Sequence, residues 1–448
     1  MINTLYLPEL REMLAADDAE GLREFCVALH AGRIAEFMEG LAPMEAWAVL
    51  QATDSATRVE IFGYLEEEIQ VGILESADPT ELAPLIADMP PDDRVDLLQR
   101  TDPGVVETVL SLIPTEERRD ILRLRAYPEG TAGAVMTTEV AKLPNTLTVR
   151  AALDEIGRQA KDLETIYYIY IVDDENHLSG LVSARQLVTH LGNPETSLAT
   201  LMKRDLVTVN ATDDQEAVAE KVANFDFLAI PVVDDERRLV GIITYDDVID
   251  VLQEEATEDA YLAGAVVPLE ESYLATGLLR LTRLRAGWLT VLFGAATLTA
   301  LLLQSYHEAL QQIAWLVWFL PLVISSGGNS GSQSATLIIR ALTIKEIMPS
   351  DWVAVVRREL LTGALLGAFL ASIGYAAAYF LAPTPNDALV IPITLMLVVV
   401  CGTILGALLP LLFKSMGLDP ALMSTPFVAG IIDIVGIVLY MNVAIWLL

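Results

Sequence analysis

From Ala286 to Leu448 the chain is a succession of apolar stretches long enough to cross a bilayer, and this restricts the folds open to its last third. A hydrocarbon core about 30 Å thick needs roughly 20 apolar residues in a helix, since each residue adds about 1.5 Å. Five stretches have that length: 286–304, 313–337, 360–381, 388–413 and 423–448. Backbone groups in lipid must be satisfied within the segment, so five membrane helices are expected. The loops between them alternate in basic content. Arg280, Arg283 and Arg285 precede the first span, Arg340, Lys345, Arg357 and Arg358 separate the second from the third, and Lys414 follows the fourth. Segments 305–312 and 382–387 carry no Lys or Arg. An excess of basic residues marks cytoplasmic loops, which puts the amino terminus inside and the carboxyl terminus outside. Met1 to Glu9 has no basic segment leading into an apolar core, so no cleavable leader is expected and the front half stays in the cytoplasm.

Charge is distributed as unevenly as hydrophobicity. Nine of the 61 Asp and Glu residues follow Tyr261, against eight of the 28 Lys and Arg, so nearly all of the net charge of −33 belongs to the front half. That half is long enough for two soluble domains. Its acidity argues against nucleic acid as a partner. Solvation of the surface accounts for many single carboxylates, and the sharper reading is a binder of several divalent cations that hold mutually repelling parts together. Cys26 and Cys401 lie in different halves and the four histidines show no ligand spacing, so neither a disulfide framework nor a zinc site is indicated. No nucleophile stands with a base, so an enzyme is not expected.

Asp433 lies about ten residues into the last span, near the middle of the hydrocarbon layer, and no other Asp or Glu is expected so deep. A carboxylate there costs at least about 2.5 kcal/mol and usually faces an aqueous cavity or an ion path. No Lys or Arg lies deep in any span to neutralise it. Thr425, Ala429 and Asp433 recur every four residues, which places them on one helical face. In the second span, Ser325 to Ser334 reads Ser-Ser-Gly-Gly-Asn-Ser-Gly-Ser-Gln-Ser. Such a run is expected to break the helix beside a water-filled cavity. The other reading is close helix packing through small residues. Asn329 and Gln333, one turn apart, offer more hydrogen-bonding capacity than packing needs. One carboxylate with amide and hydroxyl neighbours suits a hydrated hard cation such as Mg²⁺ better than a softer metal. Five spans are few for a pore, and a homodimer would bring two Asp433 side chains to a two-fold axis.

The soluble half contains a repeat. Tyr168 to Asp174 leads to Leu178–Ser183, and Ala229 to Asp235 leads to Leu239–Thr244; each is an apolar strand, an acidic turn, a second strand and a helix start. These copies, at about 135–195 and 201–253, resemble a tandem pair of CBS domains. Such pairs commonly bind ATP or another adenine nucleotide, with a Ser/Thr-x-x-Asp motif after the last strand. Thr244 and Asp247 match that motif, whereas the first copy has Ser183 followed by Gln186 in place of the Asp. The resemblance adds Tyr170, Arg185 and Phe227 as candidates. Thr244 and Asp247 also suit a simple helix cap. Ahead of the repeat, short amphipathic patterns broken at Asp78-Pro79, Pro90-Pro91 and Asp102-Pro103 suggest stacked small helices. After it, Asp246 to Asp259 reads as an acidic helix, and 269–285 as a second stretch carrying the chain to the membrane.

That order resembles the MgtE family of magnesium channels over essentially the whole chain, most closely at Pro321 to Arg340, Glu164 to Tyr170, Glu254 to Asp259 and Asp419 to Asp433. The resemblance implies an all-α superhelical domain over 1–128, the α/β CBS pair over 129–253, an acidic linker and connecting helix over 254–285, and a membrane domain of five helices over 286–448. It implies a homodimeric channel with Asp433 holding Mg²⁺ in the pore. It further implies Mg²⁺-binding carboxylates that favour the closed state: Glu60, Asp92, Asp96, Glu216, Asp226, Asp247, Asp250, Glu255, Glu258, Asp259 and Asp419. Where the family usually has Asn-Pro, this chain has Thr425-Pro426, which offers a hydroxyl at the pore entrance. Two other functions remain open to these residues: a secondary transporter exchanging a divalent ion for H⁺ or Na⁺, and a membrane-anchored nucleotide sensor.

Overall fold

The computed structural model describes residues 5–161, 163–269, 273–274 and 276–448, and divides into two compact units, Met1–Gln253 and Glu254–Leu448.

The first unit opens with ten short helices among the described residues, from Leu7–Ala16 to Thr115–Leu124. The Asp-Pro pairs start these helices. Asp78 and Asp102 accept hydrogen bonds from backbone N–H groups of the first turn, while Pro79 and Pro103 occupy the position whose N–H has no partner. Asp18 and Asp54 cap two more. The apolar faces, including Trp47, Phe62, Ile73, Leu82 and Leu98, merge into one core.

Two three-stranded sheets follow: Val140–Pro144, Thr165–Val172 and Leu178–Ser183, then Val209–Asn210, Ala229–Val233 and Leu239–Thr244. In each, the first strand is parallel to the second and the second antiparallel to the third. The acidic turns are built by Asp173, which accepts from the N–H groups of Glu175 and His177, and Asp234, which accepts from those of Glu236 and Arg238. The repeats meet through Tyr170, Val172, Ala229, Leu239 and Ile242.

A continuous helix, Tyr245–Ala263, leaves the second sheet. Of the stretch 269–285, the helical part starts only at Leu278, with 270–272 and 275 outside the described residues. Among the described residues the second unit has five long helices: Leu278–Ser305, Leu320–Thr343, Trp352–Tyr379, Val390–Ser415 and Thr425–Leu447. They are called the first to fifth membrane helices below. Four of these stretches are long and apolar enough to cross a membrane by composition; glycines and serines dilute the second.

The sequence reading of that second helix needs correction. Residues 325–334 lie inside an unbroken α-helix, and the expected break is absent there. The small residues serve close packing instead. A Cβ on Gly402 would stand 2.7 Å from the Gly327 carbonyl oxygen, and one on Gly331 would stand 3.0 Å from that of Gly402. A helical glycine costs about 1 kcal/mol against alanine in water, but here backbones touch backbones and no water competes for the carbonyls.

Candidate ion pathway and acidic clusters

Asp433 projects from the fifth helix toward the second. A Cβ on Gly328 would lie 3.3 Å from Asp433 Oδ1 and 3.5 Å from the Ala429 Cβ, so the glycine makes room for both. The carboxylate is half-buried. On the adjoining side of the second helix Asn329 and Gln333 are exposed, and the Asn329 amide donates to Ser325 Oγ at 3.1 Å. A polar strip therefore runs along the outer face of a membrane helix beside a carboxylate. Thr425 is tied to two other helices. Its hydroxyl donates to the Ala263 carbonyl at 2.8 Å, and its own carbonyl accepts from Ser332 Oγ at 3.2 Å.

A second buried carboxyl lies in this unit. Glu359 sits seven residues into the third helix. Its side chain is 8 % exposed and accepts from Ser334 Oγ at 2.6 Å. The span expected at 360–381 begins one residue after it. The available signal was spacing: Glu359, Gly363 and Gly367 recur every four residues, a small-residue face that continues to a buried carboxyl.

In the first unit, Asp92, Asp93, Glu164 and Asp247 converge. Burial pushes the Asp92 carboxyl well above the usual carboxylate range, and Asp247, Asp93 and Glu164 add to the rise. Desolvation, then the charges of Asp247 and Glu139, carry Glu164 up to about 7. Desolvation, then Asp247 and Asp250, carry Asp93 to about 6. Asp247 is raised by desolvation, against the lowering hydrogen bonds it accepts from the Thr244 hydroxyl at 2.5 Å and N–H at 3.1 Å. Asp92 Oδ1 is buried without a hydrogen-bond partner. Alongside, buried Arg94 reaches Asp120 at 3.5 Å.

A second cluster lies in the other unit. Burial raises the Glu258 carboxyl, helped by Glu255 and Asp419; Asp259 is raised by burial, then by Asp419 and Glu255, with Arg340 and Lys414 opposing. Among the described residues no three acidic, His or Cys side chains close on a single point as a complete metal cage. A hard cation that keeps most of its water needs only one or two carboxylates, so these clusters still suit one.

The remaining candidates are scattered within one chain. Glu60 and Asp96 are exposed on separate helices. Glu216 opens the helix Gln215–Phe225 and Asp226 closes it in a left-handed conformation, about 15 Å away. Of the nucleotide candidates, Arg185 is exposed and Phe227 stacks on Phe225 with ring centroids 5.5 Å apart. Tyr170 is fully buried between the repeats, so its ring offers no surface to a nucleotide here. Ser183 and Gln186 form a reciprocal helix cap, which explains how the first copy uses Gln where the motif has Asp.

An acidic helical region, a paired α/β repeat and a helical bundle of apolar helices carrying a carboxylate beside a small-residue face point to a membrane transport protein. Family models match along the same order: the MgtE intracellular N domain at 29–130, CBS domains at 132–193 and 198–254, and the MgtE divalent cation transporter region at 320–443. The magnesium transporter MgtE of Thermus thermophilus is 40 % identical over 324 residues, covering 72 % of this chain and 71 % of that one. The solved soluble part of a magnesium transporter superposes with a TM-score of 0.52 at 36 % identity, over 56 % of this chain and 97 % of the other. The cytosolic domain of the Mg²⁺ channel MgtE in complex with ATP gives 0.51 at 35 %, over 54 % and 98 %. The chain belongs to the MgtE family of magnesium transporters.

Proposed function

We propose that the chain forms a homodimeric Mg²⁺ channel closed by Mg²⁺ on its cytoplasmic side. The observation that carries this reading is Asp433 beside Gly328, next to the exposed Asn329 and Gln333. Polar groups facing lipid are costly, so a partner surface or a water-filled path covers them; a second copy related by a two-fold axis supplies both. Hydrated Mg²⁺ is the substrate, with Asp433 supplying charge, Asn329 and Gln333 supplying amides, and Ala429 keeping the wall narrow. The loop charges favour a cytoplasmic amino terminus and an extracytoplasmic carboxyl terminus, in a bacterial inner membrane.

The orphaned Asp92 oxygen and the repelling carboxylates around it fit a regulatory divalent ion. Asp92, Asp247 and Asp250 would hold it in the first unit, and Glu255, Glu258, Asp259 and Asp419 in the second, with Glu60, Asp96, Glu216 and Asp226 available between parts or copies. Bound cations neutralise the repulsion and favour the arrangement that brings these groups together; the ion closes the gate to the extent that the closed state binds it more tightly. An adenine nucleotide such as ATP at the CBS pair is supported by the relative solved with ATP and by exposed Arg185, Phe227 and the Thr244–Asp247 motif.

The test is Mg²⁺ flux into proteoliposomes for the wild type and Asp433→Ala. Uptake that vanishes in the variant supports the pathway; equal flux removes Asp433 from it. In the variant with Asp247, Asp250 and Glu255 neutralised together, continued closure by millimolar internal Mg²⁺ would sink the gating.

A further inference from the structure

The second membrane helix has three differently occupied faces. Gly327, Gly331 and Ile338 lie buried, the two glycines between Val398 and Gly402 of the fourth helix and Ile432 of the fifth. Gly328, Ser332 and Ala335 meet the fifth helix, Ala335 among Met423, Val428 and Ile432. Ser325, Asn329, Gln333 and Thr336 are exposed. Val398 and Ile432 fill the hollows over Gly327 and Gly331, so sterics oppose a large rotation of the helix. Within that fit, directional bonds set the angle. The buried Ser334 hydroxyl makes one to Glu359 Oε2 at 2.6 Å. Glu359 is itself held, because its carbonyl accepts from Thr403 Oγ1 of the fourth helix at 3.1 Å. Its neighbours Arg357 and Arg358 are exposed, whereas the Glu359 side chain is buried.

We propose that Glu359 is a positioning residue for ion passage: through Ser334 it fixes the rotation of the second membrane helix and so aims Asn329 and Gln333 at the ion path. The inference rests on the reading of that face and Asp433 as the pathway. One residue spans about 100° of helix, so a fraction of that rotation already moves the amides out of line with Asp433. A side chain that keeps an acceptor preserves the aim; one without it loses it.

The experiment compares E359Q, E359L, S334A and the E359L/S334A double variant with D433A, measuring Mg²⁺ uptake in proteoliposomes. Labelling of N329C by a water-soluble thiol reagent, with Cys26 and Cys401 replaced by Ala, reports the helix face directly. We expect E359L and S334A each to lower uptake about ten-fold and to slow N329C labelling by a similar factor. The double variant should be no worse than either alone, since both remove one bond. E359Q should stay within about two-fold of the wild type in both readouts, a rescue that a general loss of packing would not show. Wild-type labelling and uptake in S334A, or E359Q as damaged as E359L, would overturn the proposal. Should E359L fail to insert, S334A decides, because it removes only a hydroxyl. D433A with full uptake would instead sink the pathway reading, and the labelling rates would still decide whether Glu359 aims the helix.

Discussion

The Thr425 hydroxyl donates to the Ala263 carbonyl at 2.8 Å, tying the first residue of the last membrane helix to the last residue of the acidic connecting helix. The Thr425 carbonyl accepts from Ser332 of the second membrane helix at 3.2 Å. One residue thus links the helix that carries Glu255, Glu258 and Asp259 to both helices that flank Asp433. Under the proposed gating, this residue is the direct link between the connecting helix and the pathway.

Thr425→Val keeps the shape and removes the bond. A neutral hydrogen bond contributes about 1 kcal/mol, which is roughly five-fold in an equilibrium. The internal Mg²⁺ concentration that halves uptake, with each variant scaled to its own maximum, should therefore rise by about five-fold. An unchanged midpoint would show that the bond does not transmit closure.

Gly402→Ala tests the packing of the second against the fourth helix. Its Cβ would fall 2.7 Å from the Gly327 carbonyl oxygen, and a backbone atom cannot swing aside as a side chain can. Overpacking of this kind costs about 1–3 kcal/mol. The purified variant should lose several degrees of melting temperature in detergent, whereas Gly287→Ala, whose added Cβ meets nothing within 4 Å, should not.

The Asp92 cluster sets a pH dependence whose sign is opposite to that of a salt-bridged carboxylate. Glu164 moves from 4.5 to about 7 and Asp93 from 3.8 to about 6, so the folded unit binds more protons than the unfolded chain between those limits. Stability without divalent cations then falls as pH rises from about 4 to about 7. Protection factors over 91–100 in the full chain with EDTA, that is, exchange corrected for its intrinsic rise with hydroxide, should be larger at pH 5.5 than at pH 7.5. The reverse order would mean that these carboxylates are not raised.

Chelation and charge removal at Asp92 should act in opposite directions. A ligand at a hundred times its Kd stabilises by about 2.7 kcal/mol, so Mg²⁺ should slow exchange over the same segment in the wild type and EDTA should reverse it. Asp92→Asn removes one of the repelling charges and one candidate ligand. Its exchange in EDTA should be slower than that of the wild type, with little further slowing by Mg²⁺. A full Mg²⁺ response in the variant would place the ion elsewhere.

Much of the molecule was legible because the relevant signals are local. The Asp-Pro helix starts are written within two residues of one another, and each CBS copy carries its strand, turn and strand within a short window. Asp433 was readable as well, since the depth of a charge in an apolar run is a matter of counting. Glu359 was missed for the converse reason: its position near a basic loop resembles a surface residue, and only the pairing with Ser334, 25 positions away in sequence, reveals its burial.

The Gly-Gly-Asn-Ser-Gly run shows where the boundary falls. Its composition left two readings, a broken helix or close packing, and the apolar stretches around it placed either one in a membrane. Whether the helix breaks or packs was decided only in three dimensions, because a glycine's preference depends on what occupies the space its side chain leaves. Here the backbone of Gly402 and the side chain of Asp433 occupy it. In the same way the sequence supplied the acidic residues, but only folding set Asp92, Asp93, Glu164 and Asp247 against one another. Electrostatic repulsion depends on separation through space, and the chain brings these four together from positions more than 150 residues apart.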